Sequence, residues 1–197
     1  EVHFLLHSDY EHVRRHGLQV QSVSGDFALP EVNAYGCASD MPPCDVVLVA
    51  LKATRNDLLE SLLPPVTAHD GLAVILQNGM GGEAVAARAA GADRVAGGLC
   101  FVCVRKAGPG RIEHLDYGDL KLAAYRPGNQ PQPAGLRLHQ IASDVTAAGI
   151  PATVHDDLLA LRWQKLLWNA PFNTLSVLLN TTTDRLAAHP ETGALVH

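Results

Sequence analysis

The chain has 197 residues, 47% of them hydrophobic, with 15 basic and 20 acidic side chains and a formal net charge of −5. That is enough apolar material for one packed domain and the start of another, and an acidic balance without a basic block argues against nucleic acid as a main partner. Apolar runs such as Val46 to Leu51 fall far short of the ~20 residues that cross a bilayer, so no membrane partner is expected.

Val2 to Leu6 reads as a strand leading into Ser8-Asp-Tyr-Glu11, a capping box with Ser8 as N-cap. The helix it opens runs to His16 and stops at Gly17. Leu18–Val23 and Phe27–Leu29 are short strands around Ser24-Gly-Asp26. Asp45–Ala50 is a near-continuous apolar strand, as expected where helices cover both faces. Asn56–Leu63 is a helix stopped by Pro64 and Pro65. Leu72–Leu76 is another buried strand, followed by the turn Gln77-Asn-Gly-Met-Gly-Gly82 and a helix through Ala90. Arg94–Val104 and Gly110–Leu115 read as strands, and Leu120–Ala124 as the hairpin partner of the second. Arg126–Pro133 is a linker, Leu136–Ala148 a helix, Ala152–Val154 a strand, and a long helix begins near Asp156.

This alternation predicts an α/β fold with a Rossmann-type, doubly wound parallel sheet, followed by an all-helical domain. The boundaries are 1–155 and 156–197. The chain opens directly on a strand without methionine, and Glu191–His197 stops as a helix begins. It therefore reads as an excerpt of a longer protein. Four cysteines in a chain of this size read as free thiols of a cytoplasmic protein. Cys100 and Cys103 form a CxxC motif, but odd spacing in a strand puts them on opposite faces, which argues against a shared metal or a disulfide.

The polar chemistry concentrates in Trp163-Gln-Lys-Leu-Leu-Trp-Asn-Ala-Pro-Phe-Asn173. Lys165, Asn169 and Asn173 recur every four residues and fall on one helical face. Leu161, Leu166, Leu167, Leu175, Leu178 and Leu179 surround that stripe with apolar surface. Buried polar groups need partners, since an unpaired one costs about 1–3 kcal/mol. A polar ligand or another helix would supply them. Pro171 inside this helix predicts a kink that re-aims the two asparagines. In doubly wound sheets the ligand lies beyond the carboxyl ends of the strands. His7 with Ser8, Lys52, and Gln77-Asn78-Gly79 all follow strands and are expected on one edge of one sheet.

Four stretches carry a family resemblance. They are Val47-Leu-Val-Ala-Leu-Lys-Ala53, Leu76-Gln-Asn-Gly-Met-Gly81, Gly108-Pro-Gly-Arg-Ile-Glu-His114 and the Trp163–Asn173 block. Together they resemble the ketopantoate reductases (2-dehydropantoate 2-reductases), over nearly the whole chain. The resemblance implies an N-terminal domain that binds NADP(H) and a helical domain that closes over it. It implies reduction of 2-dehydropantoate to (R)-pantoate, a step toward coenzyme A. Lys165 takes the place of the catalytic lysine, which polarises the keto oxygen and supplies a proton. Asn169 and Asn173 take the places of substrate-binding asparagines, and Asn78 that of an asparagine touching both nicotinamide ribose and substrate. Lys52 matches a lysine near the ribose. His7 stands where the family usually has an arginine for the 2′-phosphate, and NADP(H) remains the expected cofactor. No metal is implied. The family's first strand with its glycine loop, and its later glutamate and serine, would lie outside this excerpt. A leucine-rich helical domain suits a homodimer. Two other readings stay open: a related dehydrogenase of another 2-keto acid, and a non-catalytic NADP-binding sensor.

Overall fold

The computed structural model describes residues 1–128 and 130–196. Asn129, in the expected linker, and His197, at the end of the expected helical domain, lie outside the described residues. Strand β1 (His3–Leu5) leads into α1 (Tyr10–His16), β2 (Leu18–Ser22), β3 (Phe27–Leu29), β4 (Asn33–Tyr35) and β5 (Cys44–Val49). Next come α2 (Leu59–Val66), β6 (Thr67–Ile75), α3 (Gly82–Ala90), β7 (Val95–Gly108) and β8 (Arg111–Ala124). Helix α4 (Leu136–Ala147), β9 (Ala152–His155), α5 (Leu158–Leu178), α6 (Thr183–Ala188) and α7 (Pro190–Val196) follow.

The main sheet runs β3-β2-β8-β7-β6-β5, with β9 beside β8. Strands β5, β6 and β7 are mutually parallel. Along β6 the side chains alternate between two cores. Leu72 and Val74 join Ala96, Leu120 and Leu122 under Leu138, Ile141 and Ala142 of α4. Ala73 and Ile75 join Val49 and Val95 under Leu59 and Leu63 of α2 and Ala86 of α3. Further along that second face, Leu99 and Ala123 meet Leu158 and Leu161 of α5. Each fully buried leucine contributes about 1.5–3 kcal/mol relative to exposure. Helices therefore cover both faces, as the near-continuous apolar strands require, and the doubly wound α/β architecture is the one the alternation predicts.

Four local readings are corrected. The stretch Leu120–Ala124 is not a separate strand pairing with Gly110–Leu115; it continues β8 and pairs with β7, Cys100 opposite Leu120 and Ala96 opposite Ala124. The interruption is a bulge at Tyr117 (φ 61°) and Gly118 (φ 144°), where β8 bends without ending. Pro64 and Pro65 do not stop their helix but sit inside α2, which ends at Thr67, whose hydroxyl donates to the Leu63 carbonyl at 2.7 Å. The Ser8 capping box does not form. Ser8 donates to Asp9, Glu11 is taken by Arg14 and Arg15, and Asp9 reaches across to Lys106 and the Gly110 N–H on the hairpin. A charged partner on another element outcompetes the local cap. Finally, β1 does not join the main sheet but pairs in parallel with β4, a strand the sequence reading missed.

Candidate active site

Because β5, β6 and β7 are parallel, their carboxyl ends share one edge. Ile75, the last residue of β6, pairs with Gly97, so β7 continues beyond β6 through Cys100 and Phe101. Helix α5 advances along this extension. Its N-cap Asp157 accepts from the Ala160 N–H at 2.8 Å, a contact that stabilises a helix start by about 1 kcal/mol. Leu158 then fills the space that a Cβ on Gly97 would occupy, 2.2 Å from that position. Leu161 follows against Leu99, and Lys165 reaches Cys100 and Phe101.

Lys165 is buried, with 8% of its surface exposed. Its Nζ donates to the Cys100 carbonyl at 2.6 Å and lies 5.4 Å from the centre of the Phe101 ring. Among the described residues no carboxylate pairs with it. Burial holds its pKa below the ordinary lysine value, with the Arg162 guanidinium acting in the same direction and Cys100 opposing. The same burial raises the Cys100 thiol. A buried ammonium of reduced proton affinity is a ready proton donor.

Arg162 was missed in the sequence and is 4% exposed. Its Nε donates to Glu83 Oε1 at 2.8 Å, its Nη1 to the Gln77 carbonyl at 2.7 Å and its Nη2 to the Ile75 carbonyl at 2.9 Å. Nη2 also contacts Glu83. The available signal was its place on the inward stripe Leu158, Leu161, Arg162 and Lys165, spaced i, i+3, i+4 and i+7. An arginine there needs a buried partner.

The other expected site residues lie as follows. Asn169 is half-buried and Asn173 exposed, and among the described residues no hydrogen bond engages either side chain. Helix α5 runs through Pro171 as one element, with Phe172 buried and stacked on Trp168 at 4.1 Å. The leucine surround is only partly buried: Leu161 is covered, while Leu167 and Leu178 are each 74% exposed. Asn78 is exposed on the β6–α3 turn, where Gly79 (φ 94°) and Gly81 (φ 84°) have left-handed backbones and face open space. Gln77 Nε2 donates to Asn56 at 2.7 Å, and its Oε1 is buried without a partner among the described residues. Lys52 is exposed three residues after β5, on the same edge. His7 is exposed after β1, in the separate two-stranded sheet. The structure thus joins Lys165, through Arg162, to the turn that carries Asn78, and leaves the side chains of Lys52 and His7 free of described hydrogen bonds. A cleft of about 120 Å³ lies beside the Arg162–Glu83 pair, lined by Met80, Gly81, Glu83, Leu158 and Arg162 among others. All four cysteines are free, and Cys103 is exposed while Cys100 is half-buried. Among the described residues no helix is long and apolar enough to cross a membrane, and no group of His, Cys, Asp or Glu is placed to hold a metal.

A sheet covered on both faces, with a glycine turn and a buried lysine at its carboxyl edge, defines a Rossmann-type α/β protein. The family described as "Ketopantoate reductase PanE/ApbA" matches residues 1–127, and "Ketopantoate reductase PanE/ApbA C terminal" matches residues 157–197. This chain belongs to the ketopantoate reductase family. It is 50% identical over 196 residues to a 2-dehydropantoate 2-reductase of Nostoc sp., covering 100% of this chain and 61% of that protein. The crystal structure of 2-dehydropantoate 2-reductase from Geobacter metallireducens superposes with a TM-score of 0.92 at 38% identity, over 99% of this chain and 63% of that one. The chain therefore spans about three fifths of the length of these relatives. A ternary structure of D-mandelate dehydrogenase with NADH and anilino(oxo)acetate matches with a TM-score of 0.79 at 18% identity, over 95% of this chain and 59% of that one, a likeness of fold alone.

Proposed function

We propose that this chain forms the nucleotide-binding and proton-donating part of an NADP(H)-dependent reductase that converts 2-dehydropantoate to (R)-pantoate. The observation that carries the reading is Lys165, a buried ammonium without a carboxylate partner among the described residues, held on the Cys100 carbonyl where β7 runs beyond the carboxyl edge of β6. Alkoxide charge develops on a keto oxygen during reduction, and a desolvated cation there stabilises that charge far better than a solvated one. The lowered pKa lets Lys165 pass its proton to that oxygen. Asn169 and Asn173, one and two turns further along the same face, have free amides for the hydroxyl and carboxylate of the substrate. Cytoplasmic residence and a role toward coenzyme A belong to the same reading.

The residues present fit a dinucleotide at this edge. Gly79 and Gly81 leave the turn without side-chain bulk, and Asn78 and Lys52 stand exposed at the ends of adjacent parallel strands. When bound, the nicotinamide supplies the hydride. Asn78 and Lys52 would hold the ribose, and His7 would meet the 2′-phosphate.

The test follows the absorbance of reduced nicotinamide with full-length protein and 2-dehydropantoate, with NADPH and NADH in parallel. NADPH oxidation is expected, and Lys165→Ala should lower turnover by about 10²–10⁴-fold while leaving nucleotide binding nearly intact. A variant that keeps most of its turnover would remove Lys165 from the chemistry. NADPH binding without oxidation would move the substrate to another 2-keto acid or the protein to a sensor.

A further inference from the structure

Arg162 and Glu83 are separated by 79 positions in the chain, yet they form a buried ion pair, 4% exposed on each side. The guanidinium spends all three nitrogens on the β6–α3 connection: Glu83 in the first turn of α3, the last carbonyl of β6 at Ile75, and the Gln77 carbonyl in the turn. Its planar fork suits such convergent acceptors, which a lysine could not satisfy together. Glu83 also profits from the helix N-terminus at which it sits. The surrounding backbone is shaped to admit the pair, since a Cβ on Gly97 would come within 2.8 Å of Glu83 Oε1 as well as striking Leu158. Lys165 lies one turn beyond Arg162 on the same face of α5.

We propose that Arg162 and Glu83 are positioning residues that pin α5 to the β6–α3 turn, so that Lys165 and Asn78 are held as one rigid unit with the charge of the pair beside Lys165. The proposal rests on the reading of Lys165 as proton donor. Neither residue touches the reacting atoms; both act through Lys165 and the turn. Buried ion pairs contribute little net stability compared with apolar replacements, so what this pair adds is geometry and field.

The charged and titratable groups around Lys165 are few. Arg162 lies on its own helix, Cys100 on β7, and Lys121 on β8, whose Nζ sits 5.5 Å from the centre of the same Phe101 ring. Glu83 faces it from α3 by way of Arg162. Helices α6 and α7, on the far half of α5, carry Asp184, Arg185 and Glu191, all exposed.

The pair gives two variants opposite signs. Glu83→Gln leaves the guanidinium uncompensated, so the protonated form of Lys165 is disfavoured further. The double variant Arg162→Leu/Glu83→Leu removes the nearby positive charge together with its partner and keeps the site apolar, so the protonated form is favoured. The experiment is an NMR titration of full-length protein labelled with [ε-¹³C]lysine, the Lys165 signal being assigned by its loss in Lys165→Met. The midpoint should fall by about half to one pH unit in Glu83→Gln and rise by a similar amount in the double variant. The alkaline limb of the pH–rate profile should move with it. A shift of the same sign in both folded variants, or in neither, would overturn the proposal; a merely structural pair produces that result. If Glu83→Gln fails to fold, the double variant decides, an unmoved midpoint counting against the pair. The titration needs no substrate, so a failed reductase reading leaves it intact. An active reductase with an unmoved midpoint removes only the positioning role.

Discussion

The two halves of α5 look alike in sequence, each a leucine-rich stretch with polar residues on the stripe, yet they live in different surroundings. From Leu158 to Lys165 the helix packs on β7 and β8, and both of its inward charges, Arg162 and Lys165, find acceptors in the sheet. Helix α5 also packs against α6 and α7. Leu167, Val177 and Leu178 are 74%, 82% and 74% exposed, and the amides of Asn169 and Asn173 have no hydrogen-bond partner among the described residues. One half has its charges paired in the sheet, and the other leaves its amides open to solvent beside an exposed apolar surface. Under the proposed reading, the anchored half fixes Lys165 and the open half supplies the two amides.

Mutations can break this contrast, beginning where burial is deepest. Arg162→Met leaves Glu83 buried and uncompensated, and should cost about 3–5 kcal/mol in urea unfolding. Leu161→Ala, in the small cluster with Leu99 and Ala123, should cost about 2–5 kcal/mol, read the same way. In the outer half, Asn169→Ala and Asn173→Ala should change unfolding by less than about 0.5 kcal/mol while raising the KM for the keto acid. A large loss of stability in either would assign them to packing, and an unchanged KM would take them out of the substrate site.

The smallest expected effects concern pH. Asp9 is held below the ordinary carboxylate range by its hydrogen bond to Lys106 on the hairpin. A folded pKa below the unfolded 3.8 means that this stability is present above pH 3.8 and lost as pH falls through the lower folded value. Acid unfolding of Asp9→Asn should lack that increment. Lys165 works in the other direction. Its depressed pKa makes the unfolded state bind the extra proton, so stability should rise between the lowered folded value and 10.5. Lys165→Met should flatten that rise in thermal melts taken across alkaline pH.

Much of the architecture was legible in the residues. The alternating strands, the turn after Leu76, and helix α4 followed from hydrophobic periodicity and glycine placement. The Lys165 stripe also followed from spacing, and its buried lysine is present in the fold. What escaped were features with no local signature. Tyr117 and Gly118 interrupt the pattern of β8, and a break in periodicity is the same in sequence whether the strand ends or bulges. Ser8 and Glu11 match a capping box, but Lys106, almost a hundred residues away, recruits the neighbouring Asp9.

Periodicity, turn chemistry and motif are properties of a few adjacent residues, and they were sufficient here for the α/β class, the family resemblance and the face on which Lys165 lies. The partners of charged groups were settled by packing. Arg162 meets Glu83, and Lys165 meets the Cys100 carbonyl, because α5 docks along the extension of β7, and burial there obliges every polar atom to take whatever acceptor the fold brings within reach.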